Sequence, residues 1–409
     1  MADMPDSKNS HASTISQKTP RGILHGPITP TLFRLALPTV VVLVAQTFVG
    51  VAETYFVSFL GIEALAGVTL VFPVLMLMQM MSNGGIGGGV SSAVARALGA
   101  NRHADADADG RVWHSVVLAT VFGAIFSFAA ILFGPLLYRS MGGTGETLRA
   151  ALIYSGIVFA GSIPIWITAL LSAALRGAGN VNAPALVILS GAFLLLVLSP
   201  LLIFGWGPFP ELGVAGGGAA AFIYYLIAAL VLALYLRSSS SPLKFKIVPL
   251  QGRLFKDILG VGLPSAVGTI QVNLTVTFVT AAVGHFGADA IAGFGIASRL
   301  DYLQIPIIFG LGTAIVTMVG INIGAGQIER ARGPLGLAQV LAAFVGWASV
   351  IWFQASLNSL FQIVAAAAIA YGGLTALAVL PRRQARESSN CQVETSSVQK
   401  IAVAQASTA

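Results

Sequence analysis

From residue 35 onward the chain is a succession of long apolar runs, interrupted by short polar, glycine- or proline-bearing stretches. A helix needs about 20 residues to cross ~30 Å of hydrocarbon. Runs of that length predict ten membrane-spanning helices, at 35–60, 65–94, 112–135, 150–174, 183–204, 213–236, 257–283, 290–321, 335–353 and 359–380. Residues 1–30 are polar, broken by Pro20, Pro27 and Pro30, and lack the apolar core of a signal peptide. They read as a short disordered arm, and residues 384–409 as a similar tail.

Composition fits this pattern. Of the 409 residues 56% are hydrophobic and 9% charged, against about 25% charged in an ordinary soluble domain. Mean hydropathy is +0.86. A soluble enzyme, a disordered chain and a fibrous protein are excluded, which leaves an all-α polytopic membrane protein. The single cysteine, Cys391, allows no internal disulfide.

The net charge of +7 records orientation, because basic residues collect on the cytoplasmic side of membrane helices. With the N-terminus inside, the outer loops hold only Arg139 and Arg149, and Arg299 falls within a span. The other 19 of the 22 basic residues lie inside. The charge therefore calls for no nucleic-acid partner. Both termini are expected in the cytoplasm, with the chain in the cell (inner) membrane.

The chain is built twice. Leu35–Pro38 (LALP) matches Val261–Pro264 (VGLP), and Leu60–Gly67 (LGIEALAG) matches Phe286–Gly293 (FGADAIAG), both at an offset of 226. Gly85–Gly87 matches Gly310–Gly312, and Leu98–Asn101 (LGAN) matches Ile323–Gly326 (IGAG), at 225. Six spans separate the copies, so the repeat is parallel, as in secondary transporters with substrate sites between halves. Pro38 to Leu236 covers 198 positions but Pro264 to Leu380 only 116, so the second copy is short by 82, about two spans with their loops. The expected divisions are an arm (1–30), a six-helix lobe (31–237), a linker (238–256), a shortened second lobe (257–383) and a tail (384–409).

Five segments then stand out: Val44–Gly61 (VAQTFVGVAETYFVSFLG), Val94–Asp107 (VARALGANRHADAD), Ala174–Asn180 (ALRGAGN), Ser298–Leu303 (SRLDYL) and Gly320–Ala331 (GINIGAGQIERA). In this order they resemble the MATE family, the multidrug and toxic compound extrusion transporters. The resemblance runs from about residue 30 to 346. It implies twelve helices in two six-helix lobes and a cavity between them. It also implies export of cationic or amphipathic organic compounds, driven by entry of H+ or Na+. The second lobe departs from this, since no counterpart of ALRGAGN follows Gly346. The tenth and eleventh family helices are those expected to be missing.

Glu53 is the prime candidate for chemistry. It lies seven residues before Leu60, about 10 Å from the outer end of its helix at 1.5 Å per residue. An ionisable group there costs about 2.5–3.5 kcal/mol on insertion scales, so it faces a cavity or a partner. It reads as a proton or Na+ site, and the resemblance implies an acidic residue in the first helix. The alternative is a structural carboxylate bonded to Gln46 or Thr54. The acidic positions of other family branches are absent. The fifth helix has LLVLSP, with Leu195 and Ser199, where one branch resembles NIVLDP. After Pro264 stand Gln271 and Asn273, which do not titrate near neutral pH. Arg299 and Asp301, two apart, do not face each other on a helix; each pairs elsewhere or lines the cavity. Gln46, Gln271, Asn273, Arg299, Asp301 and Tyr302 are the candidate polar lining, with Phe48, Tyr55, Phe72, Met76, Met80 and Trp166 as possible wall.

Other patterns carry less. Gly84–Gly89 has no following Lys and lies inside a span, so it reads as packing or hinge, as does Gly216–Gly218. His103, Asp105, Asp107 and Asp109 alternate in a loop and read as solvated rather than as a metal site; no metal or cofactor is expected beyond the coupling ion. His114 and His285 read as interfacial. No catalytic constellation suggests an enzyme. The leading function is an H+- or Na+-coupled antiporter of organic compounds, a monomer whose partners are a small-molecule substrate and membrane lipid. The alternatives are a transport-defective short member, or a flippase for a lipid-linked precursor, which would favour more cavity cations than Arg299. The parity makes a direct forecast: green fluorescent protein fused after Ser239 fluoresces, and alkaline phosphatase fused after Gly143 is active. The reverse pattern would contradict the orientation.

Overall fold

The computed structural model describes residues 22–100, 107–284 and 288–334, with side chains at 272–305 outside that description. The chain divides into two units, Met1–Leu335 and Gly336–Ala409; the description concerns the first. The expected spans at 335–353 and 359–380 lie outside the described residues.

Among those residues the chain is all-helical. The helices are α1 (Ile28–Ser58), α2 (Ile62–Met80), a π-helical turn (Met81–Ile86), α3 (Gly87–Gly99), α4 (Asp107–Ser140), α5 (Gly145–Ala160), α6 (Ser162–Gly177), α7 (Asn182–Phe204), α8 (Val214–Arg237), α9 (Gly252–Gly284) and α10 (Ala288–Gly324). Six helical stretches are long and apolar enough to cross a membrane, or seven if α5 and α6, bent by 48°, form one span. The helices overrun the sequence-derived spans because their polar first and last turns extend beyond the apolar core.

Local sequence explains the breaks. Proline is absent from the π turn; instead Ser82 Oγ and Asn83 Nδ2 each donate to the Gln79 carbonyl at 3.1 Å, supplying partners where the α ladder is interrupted. The α5–α6 bend falls at Gly161, where an added Cβ would meet the Phe222 ring at 2.8 Å. The ALRGAGN motif makes the tight return from α6 to α7. Gly179 has φ +78°, which favours glycine. Asn180 Oδ1 then accepts from the Ala183 N–H at 3.2 Å and caps α7, while its Nδ2 donates to Tyr235 Oη at 2.7 Å.

Side chains sort by face. Leu32, Leu35, Ala36, Thr39, Val42, Val49 and Val57 form one buried stripe along α1, the i, i+3, i+4, i+7 spacing of a single helix face. Val42 packs on Ala185 and Ile188 of α7, and Val49 on Leu195 of α7 and Tyr224 of α8. Large apolar side chains such as Phe128, Leu136 and Phe193 point outward and are 67–71% exposed, as a lipid-facing surface requires. Elsewhere α4 packs on α6 and α2 on α5, around Trp166, whose ring stacks on Phe122 at 5.1 Å.

The repeat's second copy, α9 and α10, rests on α1, α3 and the π turn. This seam is made by glycines. A Cβ at Gly85 would lie 2.9 Å from Ala266 Cα, one at Gly89 would strike the Ile258 carbonyl and the Gly262 backbone, and one at Gly99 the Ile321 carbonyl. The glycine run is therefore a packing surface, as its sequence suggested. Gly216 likewise lies against the Leu202 backbone. Gly88, by contrast, has nothing within 4 Å of an added Cβ. Gly89→Ala is accordingly expected to destabilise the purified protein by about 1–3 kcal/mol through overpacking, and Gly88→Ala to be neutral or stabilising by up to about 1 kcal/mol. Thermal unfolding in detergent checks both; equal midpoints for the two variants would contradict the seam.

Candidate functional site

Glu53 sits on the buried stripe of α1, between Val49 and Val57, both less than 8% exposed. Its carboxyl therefore enters the first lobe, against α7 and α8. The nearest side-chain partner is the hydroxyl of Ser199, with Tyr154 and Tyr225 also within electrostatic reach. Ser199 is fully buried. Neither Glu53 Oε1 nor Ser199 Oγ has a hydrogen-bond partner of ordinary geometry. The environment is three hydroxyls and apolar wall, with no ion pair to Glu53 among the described residues. A carboxylate buried without countercharge has to be neutralised by a proton or a bound cation.

The other sequence candidates distribute unevenly. Gln46 is half-buried about two turns earlier on α1, beside the Tyr224 hydroxyl rather than Glu53. Thr54 Oγ1 donates to the Gly50 carbonyl at 2.8 Å, which satisfies it within its own helix, so neither proposed structural partner of Glu53 plays that part. Gln271 lies exposed on α9. The side chains of Asn273, Arg299, Asp301 and Tyr302 lie outside the described residues. Phe48, Tyr55 and Phe72 are exposed, at 69%, 60% and 46%, and Met76 and Met80 are half-buried. Trp166 is corrected outright: it is fully buried in the first lobe's core and cannot line a cavity between lobes.

Two groups escaped sequence reasoning. Ser199 was noted only as the residue standing where an acid was sought; the fold makes it the neighbour of Glu53. The second is an ionic network at the end of the helices where the basic residues gather. Asp257 of α9 binds Arg96 Nη2 of α3 at 2.6 Å and Arg111 Nη2 of α4 at 2.7 Å. Asp107 binds Arg111 Nη1 at 3.2 Å and Arg253 Nη2 at 2.7 Å. Asp109 accepts from the Lys244 backbone N–H at 2.8 Å and pairs with Lys246 Nζ at 3.6 Å.

Asp107 and Asp109 are each 6% exposed, so the reading of that aspartate series as solvated is wrong for these two. They open α4, where its macrodipole also favours them, and fasten it to the segment after α8. His114 is likewise corrected from interfacial to fully buried. Its Nε2 accepts from the Gln251 N–H at 2.8 Å while Nδ1 lies 2.7 Å from the Gly110 carbonyl. The only available signal was the matching supply of Asp at 107 and 109 and of basic residues at 244–253.

Comparison with known proteins agrees with this architecture. The MatE family model matches residues 38–201 and 264–380. The FAD transporter of Shewanella oneidensis is 28% identical over 326 residues, 78% of this chain and 71% of its own length. The probable multidrug resistance protein NorM of Thermotoga maritima is 31% identical over 313 residues, 76% of this chain and 67% of its own. A solved outward-facing multidrug resistance MATE transporter of the MOP superfamily superposes with a TM-score of 0.73 at 28% identity, over 87% of this chain and 80% of that one. The chain therefore belongs to the MATE family of multidrug efflux transporters, with a shortened second lobe.

Proposed function

We propose that this protein is a secondary antiporter that exports amphipathic organic compounds in exchange for a cation, H+ or Na+, taken up at Glu53. The observation that carries the reading is the Glu53 carboxyl, whose Oε1 is buried without a partner and whose polar neighbours among the described residues are hydroxyl groups. Such a group is tolerated in lipid-spanning structure where it does ionic work. Loading it with a proton or cation removes the net charge from the lobe interior, and unloading restores it. That change biases the packing of α1 against α7 and α8, where Val49, Leu195 and Tyr224 meet. Alternating access by the two lobes then exposes the substrate site to each side in turn. In this reading the basic end is cytoplasmic, the lobes divide near residues 238–256, and the membrane is the inner membrane.

The relatives' names span an FAD transporter and multidrug resistance proteins, so the substrate class is organic and amphipathic rather than one compound. A specific observation favours the second reading, a transport-defective member: the second copy of the repeat is 82 positions shorter than the first. One experiment separates them. In a pump-deficient bacterial strain, the unmutated chain lowers ethidium accumulation, and Glu53→Gln, which keeps the size and loses the charge, reduces efflux at least about tenfold, ~1.4 kcal/mol of lost coupling. No efflux of ethidium or of FAD by well-expressed unmutated protein favours the defective reading. Efflux untouched by Glu53→Gln removes Glu53 from coupling.

A further inference from the structure

The seam between α9–α10 and the first lobe combines three properties that a permanent helix interface does not need together. It is closed by glycine against backbone at Gly85, Gly89, Gly99 and Gly324, and by Gly320 against Ala95 Cβ, so the helices meet there largely through small residues. It buries polar atoms with no hydrogen-bond partner among the described residues: Arg176 Nε of α6 and Asn322 Oδ1 of α10. Each such atom costs roughly 1–3 kcal/mol while dry, and water entering an opened seam would satisfy both. Cross-lobe hydrogen bonding is sparse here, as in the bond from Thr317 Oγ1 of α10 to the Arg176 carbonyl at 2.9 Å. Surfaces of this kind separate at low cost, so something else must keep them together.

Among the described residues the best-engaged cross-seam carboxylate is Asp257. Both its carboxylate oxygens are engaged, Oδ1 by Arg96 Nη2 at 2.6 Å and Oδ2 by Arg111 Nε at 3.1 Å and Nη2 at 2.7 Å. Arg96 also donates to Ser92 Oγ on its own helix, and Arg111 Nη1 to the Asp107 carbonyl at 2.9 Å; both guanidiniums are thus held in place before they meet the carboxylate. Charge-assisted, bidentate bonds are the strong ones. Yet the Asp257 side chain is 29% exposed and Arg96 27%, so water can solvate both when they part. Arg253 with Asp107, 62% exposed on the arginine, contributes less.

We propose that Asp257, clamped between Arg96 and Arg111, is the latch of the gate at the basic end, a positioning residue that sets how often the lobes part there. This rests on the two-lobe transport reading above. The latch closes the seam in the state described here, and its release, together with hydration of the polar atoms around Thr317 and Arg176, opens the path to the substrate site. Removing the carboxylate's charge weakens both arms at once. The effect falls on the distribution between closed and open states and leaves Glu53, at the other end of α1, untouched.

The test uses the full chain in nanodiscs, with Cys391→Ser and a reporter at Thr317→Cys, near-isosteric and 1% exposed. Labelling by a water-soluble maleimide reports opening. Asp257→Asn is expected to speed labelling about tenfold, the change that ~1.4 kcal/mol produces. Asp257→Glu restores the slow rate, which a merely structural role would not do. Arg96→Gln, which spares the Arg111 arm, gives an intermediate rate and decides the matter if Asp257→Asn does not fold. Equal rates in all variants, with ethidium still altering labelling of the unmutated protein, overturn the latch and leave the transport reading standing. A reporter closed to maleimide in every variant, with and without ethidium, overturns both.

Discussion

A carboxyl group held in an apolar lobe with no countercharge among the described residues is the constraint around which the rest of this molecule is arranged. Hydrocarbon tolerates helices because their backbone groups are satisfied internally, and it tolerates charge only where charge is paired or useful. The protein obeys the first condition in every described span. Among the described residues it obeys the second by keeping its ion pairs at the helix ends, where Asp107, Asp109 and Asp257 each find cations. Glu53 is the exception, and its polar neighbours among those residues are hydroxyls rather than bases. The same carboxyl on a soluble surface would mean nothing; on the proposed reading it obliges the lobe to take up and release an ion.

Helix α1 joins that obligation to the seam. One face carries Glu53 and Val49 against α7 and α8. Another reaches α10 at Gly310, where an added Cβ would strike the Val40 side chain and come within 3.2 Å of the Ala36 carbonyl. A change in how α1 packs inside the first lobe is thus felt where α10 leans on it, through a contact with little slack. The seam is correspondingly small-residued and polar, while the lobe core around Trp166 and Phe122 is apolar and closely stacked. Rigid lobes on a separable seam are what rocking about a fixed site requires.

Much of this was legible in the sequence, and for physical reasons. Hydrophobic length fixes spans, so the first eight stretches reappear as helical segments, the second interrupted by the π turn and the fourth bent at Gly161. Glycine runs inside apolar segments read as packing because nothing else suits them in lipid, and Gly85 and Gly89 bear this out. What sequence could not supply was partnership. Ser199 is 146 positions from Glu53, and Asp257 is 161 positions from Arg96. No local periodicity connects such pairs. The aspartates at 107 and 109 misled because alternating Ala and Asp looks solvated until the linker after α8 folds over them and delivers Lys244, Lys246 and Arg253. His114 misled in the same way: a polar residue near a span end is interfacial by default, and only the fold shows the Gln251 N–H waiting for it.

The most direct test of the central claim counts ions. Purified protein in detergent, lightly buffered and equilibrated with Na+, is mixed with ethidium while a pH indicator and a Na+ electrode follow the solution. The account predicts release of a single cation equivalent, H+ or Na+, per polypeptide, because Glu53 is the one carboxyl without a countercharge among the described membrane-spanning residues, and it predicts no release from the Glu53→Gln protein. Two equivalents, or release that survives Glu53→Gln, would contradict it.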